Sequence, residues 1–303
     1  MTLHATPYTL YHIMKAGFVN IFGKPNAGKS TLLNALLGEK LAIISSKVQT
    51  TRHRIKGILT TKEHQIIISD TPGIIEPKYK LHEKMMHAVK EALEDADVAV
   101  LLHDLTDKDT SESHEIFAAL KLKVPVLVVC NKSDKVGKER TESAISFFKA
   151  QPYCSDAIAI SAIKKLHTED LLKKLTDLLP DGQPFFPEDD ITDLPTRFFV
   201  GEMIREKIYE LYEEEIPYHT TVLVQEFKEK ATLIKIQADI IVQRDTQKGI
   251  ILGEKGMGIK ALGMAARTEI EKFLGQKIFL ELFVKVKPKW RDNDIHLKEY
   301  GYH

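Results

Sequence analysis

Gly23-Lys24-Pro25-Asn26-Ala27-Gly28-Lys29-Ser30 stands between an apolar run, Phe18-Val19-Asn20-Ile21-Phe22, and a helical pattern, Thr31-Leu32-Leu33-Asn34-Ala35-Leu36-Leu37. G-x-x-x-x-G-K-[ST] between strand and helix is a phosphate cradle. Gly23 and Gly28 let the backbone turn sharply, so successive N–H groups face one anion. The helix that follows points its positive dipole end at the same place. Lys29 is placed to reach the β and γ phosphates, and the Ser30 hydroxyl to ligate Mg²⁺.

Outward from the cradle, short apolar strands alternate with helices up to a helix over Thr168 to Leu179. That order predicts a doubly wound α/β sheet. Residues 1–16 are polar and aperiodic and are expected to be an extension, with Met14 an alternative start. Residues 17–179 form the first domain in this reading. Residues 180–195, with four prolines and an acidic trio, are expected to be a semi-rigid linker. Residues 196–290 follow as helix, two strands, a helix pair and a strand, which implies a smaller α+β domain. Residues 291–303 are left as a tail. The segment Leu41 to Arg54, rich in Ser, Thr and Lys, reads as a mobile loop.

The 303 residues carry 43 basic and 43 acidic side chains, so any nucleic-acid affinity must come from a local patch. Two cysteines give no disulfide framework, which fits a reducing compartment. No apolar run approaches the ~20 residues of a membrane span, and the start lacks the features of a signal peptide.

Three further motifs each follow a strand. Asp70-Thr71-Pro72-Gly73 places a carboxylate near a cradle-bound metal and a glycine N–H near the γ phosphate. Asn131-Lys132-Ser133-Asp134 follows the strand ending at Val129. The Asp134 carboxylate can accept two hydrogen bonds from the N1 and N2 edge of guanine, which adenine does not offer. Asn131 would brace the loop, and the Lys132 stem would lie over the base. Ser161-Ala162-Ile163 can offer a backbone N–H to guanine O6. All four motifs fall at strand C-terminal ends, where such sheets bind ligands. Guanine is the nucleotide base they specify.

In the second half, Ile251-Leu252-Gly253-Glu254-Lys255-Gly256-Met257-Gly258-Ile259 fits the G-x-x-G signature of a KH domain, in which sugar-phosphate lies against a glycine loop. Between Lys228 and Arg291 the count is about fourteen basic residues to about seven acidic. Lys248, Lys255, Lys260, Arg267, Lys285, Lys287, Lys289 and Arg291 are candidate phosphate contacts. Glu254 sits in the loop against that trend. Trp290 is a candidate for stacking on a base or for capping the domain's own core. Arg205 and Lys207 read as a solvated helix face. Changing both Gly253 and Gly256 to Asp is expected to cut RNA binding by orders of magnitude with little effect on stability.

The first half resembles the translation-factor class of GTPases. The whole chain is similar to the Era family of bacterial ribosome-assembly GTPases, with a type II KH domain. The likeness rests on Gln49-Thr50-Thr51-Arg52-His53-Arg54 and on Lys285-Val286-Lys287 with Trp290, and covers residues 17–303. It implies GTP binding and slow hydrolysis. It further implies binding to the 3′ end of 16S rRNA and a role in 30S subunit biogenesis coupled to cell growth. A cytoplasmic monomer with peripheral membrane contact is the implied form, although no amphipathic anchor is seen. A switch threonine, Thr50 or Thr51, would join the Mg²⁺. Ile74 stands where small signalling GTPases place a water-orienting glutamine. The resemblance also makes Asn26 a candidate K⁺ ligand, against its plainer reading as a turn residue. The rival readings are a GTP-sensing RNA chaperone without significant hydrolysis and a tRNA-modification or transport GTPase, which should lack the G-x-x-G domain.

Overall fold

The computed structural model describes residues 13–45 and 47–302. Most of the expected extension, residues 1–12, lies outside the described residues. The first domain runs β1 (Met14–Gly23), α1 (Lys29–Leu37), β2 (Ile55–Thr60), β3 (His64–Asp70), α2 (Lys80–Glu94) and β4 (Val98–Asp104). It continues through α3 (Ser111–Ala119), β5 (Val126–Asn131), α4 (Lys138–Lys149), β6 (Asp156–Ala159) and α5 (Thr168–Leu178). β1 thus takes in residues 14–16.

The sheet order is β2-β3-β1-β4-β5-β6, all parallel except β2, which runs antiparallel to β3. The central strands read as unbroken apolar runs because helices cover both faces. On one face Val19, Ile21, Val100 and Val129 pack with α1 and α5. On the other, Phe22, Leu101 and Val128 pack with Phe117 and Phe148. Strand C-terminal ends therefore gather along one edge, where all four nucleotide motifs lie.

The expected linker is strapped to this domain, not strung between domains. β7 (Asp181–Gly182) pairs antiparallel with β1. Phe185 and Phe186 donate their backbone N–H to the buried Gln65 Oε1 at 2.6 and 2.9 Å. Ile58 donates its N–H to the Ile191 carbonyl at 2.9 Å.

The second domain runs α6 (Thr196–Leu211), α7 (Ile216–His219), β8 (Thr221–Glu229), β9 (Ile234–Val242), α8 (Asp245–Leu252), α9 (Met257–Leu274) and β10 (Ile278–Val286). Its sheet, β10-β9-β8, is antiparallel between β8 and β9 and parallel between β9 and β10. Ile236, Ala238 and Ile240 of β9 bury against Ile204 and Ile208 of α6 and Leu262, Ala266 and Ile270 of α9. The architecture is a doubly wound α/β domain followed by a smaller α+β domain.

Residues 291–303, read as a tail, hold a further helix, α10 (Asp294–Glu299), capped by the Asn293 side chain. Leu297, Tyr300 and Tyr302 bury with Trp290 against Leu81 and Met85 of α2. The segment thus seals the second domain to the first.

Candidate nucleotide cleft and nucleic-acid interface

The cradle closes as the glycines predict. Gly28 sits at φ 98°, and a Cβ there would fall 2.3 Å from Asn131 Nδ2. Asn26 holds the left-handed region at φ 63°, and its carbonyl accepts from Lys132 Nζ at 2.9 Å. Lys29 is buried and donates to the Gly23 and Lys24 carbonyls at 3.2 and 2.9 Å. Burial pulls its ammonium down to about 8, with Asp70 opposing that pull. Lys24 contributes backbone only, since its side chain turns away to Asp107 and Glu112.

Three oxygens converge beside Lys29. Ser30 Oγ donates to Asp70 Oδ2 at 2.6 Å, Thr51 Oγ1 donates to the same atom at 3.1 Å, and the two hydroxyls lie 3.0 Å apart. Asp70 is fully buried, which raises its carboxyl despite Lys29, and its Oδ1 has no hydrogen-bond partner. Hard oxygen donors around an unsatisfied carboxylate oxygen fit Mg²⁺, whose remaining ligands would be phosphate and water. Of the doublet, Thr51 faces the cluster, while the Thr50 carbonyl is taken by Arg205.

The turn after β3 is fixed by Thr71 Oγ1 donating to the Ile21 carbonyl at 2.7 Å, with Pro72 buried behind it. Gly73 passes so close to the cradle that a Cβ would meet Pro25 Cγ at 2.8 Å. Ile74 packs against the core around Phe22. On the base side, Asn131 Nδ2 donates to the Ala27 carbonyl at 2.9 Å and its Oδ1 accepts from the Ala162 N–H at 3.0 Å. One side chain thereby ties three motifs together. Ser133 N–H donates to the Ile160 carbonyl, and Ser161 Oγ donates to Asp134 Oδ1 at 2.6 Å. Asp134 and Ile163 are exposed at the mouth. The cleft these groups surround has a volume of about 360 Å³ and is lined by Asn26, Lys29, Ser30, Thr51, Gly73 and Lys132 among others.

The described residues around Arg52 are held in place. Arg52, 3% exposed, donates from Nη1 to the Thr220 carbonyl at 2.8 Å and from Nη2 to the Pro217 and Tyr218 carbonyls at 2.9 and 3.2 Å. Arg205 is likewise buried against this loop and is no solvated face; Lys207 is half-buried and pairs with Glu210. Nothing in the local pattern marks either arginine as buried.

In the second domain, α8 and α9 flank the glycine loop. Gly253 has φ 68° and ψ 176°, and a Cβ there would sit 2.7 Å from the Gly258 backbone nitrogen. Gly256, at φ 80°, has open space beside it. The double substitution therefore does not leave the fold untouched, because position 253 is both strained and crowded for any side chain. Lys255 and Lys260 are exposed. Arg267 pairs with Glu271 at 2.9 Å, and Lys285 with Asp239 at 2.7 Å. Lys287 is exposed, with its N–H held by the Val242 carbonyl. Beside the loop, a groove of about 370 Å³ runs between α9 and β10, lined by Lys260, Gly263, Met264, Arg267, Phe279 and Leu282 among others. Sequence reasoning misses Met264 and Phe279, 64% and 49% exposed, because their local pattern is that of ordinary core positions.

Trp290 does not offer a stacking face. It is 0% exposed, its Nε1 donates to the His219 carbonyl at 3.0 Å, and it packs among Tyr300 and Tyr302. Arg291 lies over the Tyr79 ring of the first domain at 4.2 Å.

Comparison with known proteins places the chain in a family. A family model described as 50S ribosome-binding GTPase matches residues 18–132, and a KH domain model matches residues 215–291. GTPase Era of Geotalea daltonii is 44% identical over 289 residues, 95% of this chain and 97% of the relative. The chain belongs to the Era family of GTPases. Two solved Era structures each match with a TM-score of 0.91 at 43% identity, covering 95% of this chain and 99% of theirs. One is Era in complex with MgGDPNP and nucleotides 1506–1542 of 16S ribosomal RNA; the other is a point variant of Aquifex aeolicus Era bound to GDP.AlF4⁻. Membership of the Era family makes this chain a GTPase carrying a KH domain, an enzyme and not a mere GTP sensor.

Proposed function

We propose that the chain hydrolyses GTP to GDP and phosphate in the cleft around Lys29 and binds the 3′ end of 16S rRNA with its second domain. In this reading it serves small (30S) ribosomal subunit biogenesis and couples that process to cell growth. The observation that carries it is the convergence of Ser30, Thr51 and Asp70 beside Lys29, in a chain whose relative was solved with MgGDPNP and 16S nucleotides together. Ser30 and Thr51 would ligate Mg²⁺ directly and Asp70 through water. The ion supplies charge neutralisation at the β and γ phosphate oxygens.

The protein's own groups do the rest. Lys29 exchanges two backbone carbonyls for phosphate oxygens, and the Gly73 N–H reports on the γ phosphate. Asp134 selects guanine, with Lys132 over the base and a backbone N–H of the Ser161-Ala162-Ile163 turn toward O6. Ile74 cannot orient water, and Asn26 would hold a K⁺ ion, which would supply positive charge beside the phosphates. Across Gly253 to Gly256, backbone N–H groups with Lys255, Lys260, Arg267, Lys285 and Lys287 hold the RNA strand. A cytoplasmic monomer with peripheral membrane contact completes the reading; no helix among the described residues is long and apolar enough to cross a membrane.

The test is crosslinking in cells followed by sequencing of the attached RNA. Reads concentrated at the 16S 3′ end are expected, and reads spread over other RNAs would overturn the assignment.

A further inference from the structure

Ser30 and Asp70 are held by α1 and β3 of the first domain, but Thr51 sits between α1 and β2 in a segment with no helix or strand of its own. The Gln49 and Thr50 carbonyls and the Arg52 side chain are held by α6, α7 and the residue after it, while the Gln49 side chain meets His82 of α2 at 3.1 Å. The Tyr209 hydroxyl donates to the Gln49 carbonyl at 3.0 Å, and Gln49 itself is held in the left-handed region at φ 58°. Arg205 Nη2 donates to the Thr50 carbonyl. Arg52 enters the carbonyl ring of Pro217, Tyr218 and Thr220. Thr51 is thus anchored on both sides by the second domain.

We infer that Arg205 is a positioning residue for the nucleotide site: by fixing the Thr50–Thr51 peptide it aims the Thr51 hydroxyl at Asp70 and the metal. The inference rests on the reading of this cleft as a Mg²⁺–GTP site. Arg205 is 1% exposed; its Nε donates to Glu202 Oε1 at 2.7 Å, while its Nη1 is buried without a hydrogen-bond partner. A contact selected for stability alone has no use for such a group. Well-packed apolar residues often hold an interface as well as a buried ion pair does, and an orphaned N–H only adds cost. The guanidinium gains the backbone oxygen next to the metal-facing threonine, which no apolar side chain can hold. Lys40 and Lys47 grip the same loop further upstream, through Glu206 and the Tyr209 carbonyl, without touching Thr50 or Thr51.

The test uses the full chain and four variants: Glu202→Gln with Arg205→Met, which removes both charges together; the same pair combined with Thr51→Val; Arg205→Lys; and Thr51→Val alone. Equilibrium affinities for fluorescent GDP and for a non-hydrolysable GTP analogue are measured across a Mg²⁺ titration, alongside thermal melting. The threonine engages the metal only when a γ phosphate is present. The Mg²⁺ midpoint for the GTP analogue should therefore rise at least tenfold in the charge-free pair, while the GDP affinity moves less than twofold. Arg205→Lys, which can still reach a carbonyl, should recover part of the shift and serves if the pair does not fold. Adding Thr51→Val should contribute nothing more, because both changes remove one interaction. A cooperatively melting variant with an unshifted GTP midpoint, or with equal losses for GDP and GTP, would show Arg205 to be structural only. If the unmutated protein shows no Mg²⁺-dependent binding of the GTP analogue, the site reading itself fails and the inference with it.

Discussion

The Tyr302 ring stacks on the His53 imidazole, with centroids 4.3 Å apart and planes 15° from parallel. This pairs a residue at the end of the chain with the loop that carries Thr51 and Arg52. The Tyr302 hydroxyl also lies 3.2 Å from Thr221 Oγ1 in the second domain. One aromatic side chain therefore touches both domains.

Removing that ring should be costly. Tyr302→Ala or Trp290→Ala leaves a cavity in a buried aromatic cluster and should cost about 3 kcal/mol of stability. Urea unfolding followed by circular dichroism checks this through a lower midpoint. Trp290 fluorescence should stay nearly unchanged when RNA is added to the unmutated protein. Strong quenching by RNA would mean the indole is reached after all.

Asp134 is the proposed selector of the base. Asp134→Asn should weaken GTP binding at least tenfold, about 1.4 kcal/mol, and improve binding of xanthosine triphosphate, whose hydrogen-bonding edge is inverted. Competition titrations give both numbers. Equal affinities of the unmutated protein for ATP and GTP would sink the assignment.

Hydrolysis should depend on the alkali cation. With Ile74 packed into the core and Asn26 at the cradle, GTP turnover should rise when potassium replaces sodium at constant ionic strength. Asn26→Ala should erase the difference. Phosphate-release assays in the two salts decide this, and identical rates would remove K⁺ from the site.

The two loop glycines should behave differently. Gly256→Asp places a carboxylate in open space but at a left-handed φ of 80°, so it should cut RNA affinity tenfold or more at a stability cost of about 1 kcal/mol, a shift of a few degrees in melting. Gly253→Ala forces a Cβ against the Gly258 backbone and should lower stability by about 1 kcal/mol or more, without adding charge. Electrophoretic mobility shifts with a 16S 3′-end oligonucleotide and parallel melts separate the two effects. Full RNA affinity in a folded Gly256→Asp protein would assign the contact to the groove between α9 and β10 alone.

Nucleotide binding should weaken in alkali. Lys29 is held down to about 8 by burial, against an ordinary 10.5. Polyphosphate favours the charged form, so binding above that value must take up a proton, while well below it the ammonium is already in place. Affinity should be roughly flat from about pH 6.5 to 7.5 and fall by up to tenfold per unit above about 8. Isothermal titration at about pH 8.5 in two buffers of different ionisation heat should show proton uptake. A flat affinity to about pH 9, with no uptake, would show that Lys29 keeps its charge throughout.

The four nucleotide motifs and the G-x-x-G loop were determined by the sequence alone. Each is a short run whose residue types dictate its backbone, set off by strand and helix periodicities that are equally local. Their gathering along one sheet edge followed from the parallel topology those periodicities imply. Tertiary structure decided the rest, because it depended on partners far along the chain. Thr51 was separated from Thr50 by Arg205, 155 residues away from the latter. Arg52 and Arg205 look solvated in any local pattern and are buried only because the domains meet over them. Trp290 in a basic run has the same local signature whether it faces RNA or core, and α10 folding over α2 put it in the core. The proline-rich stretch and the final residues read as linker and tail because their apolar and polar groups find partners on elements remote in sequence: Gln65 for the one, Leu81, Met85 and His53 for the other.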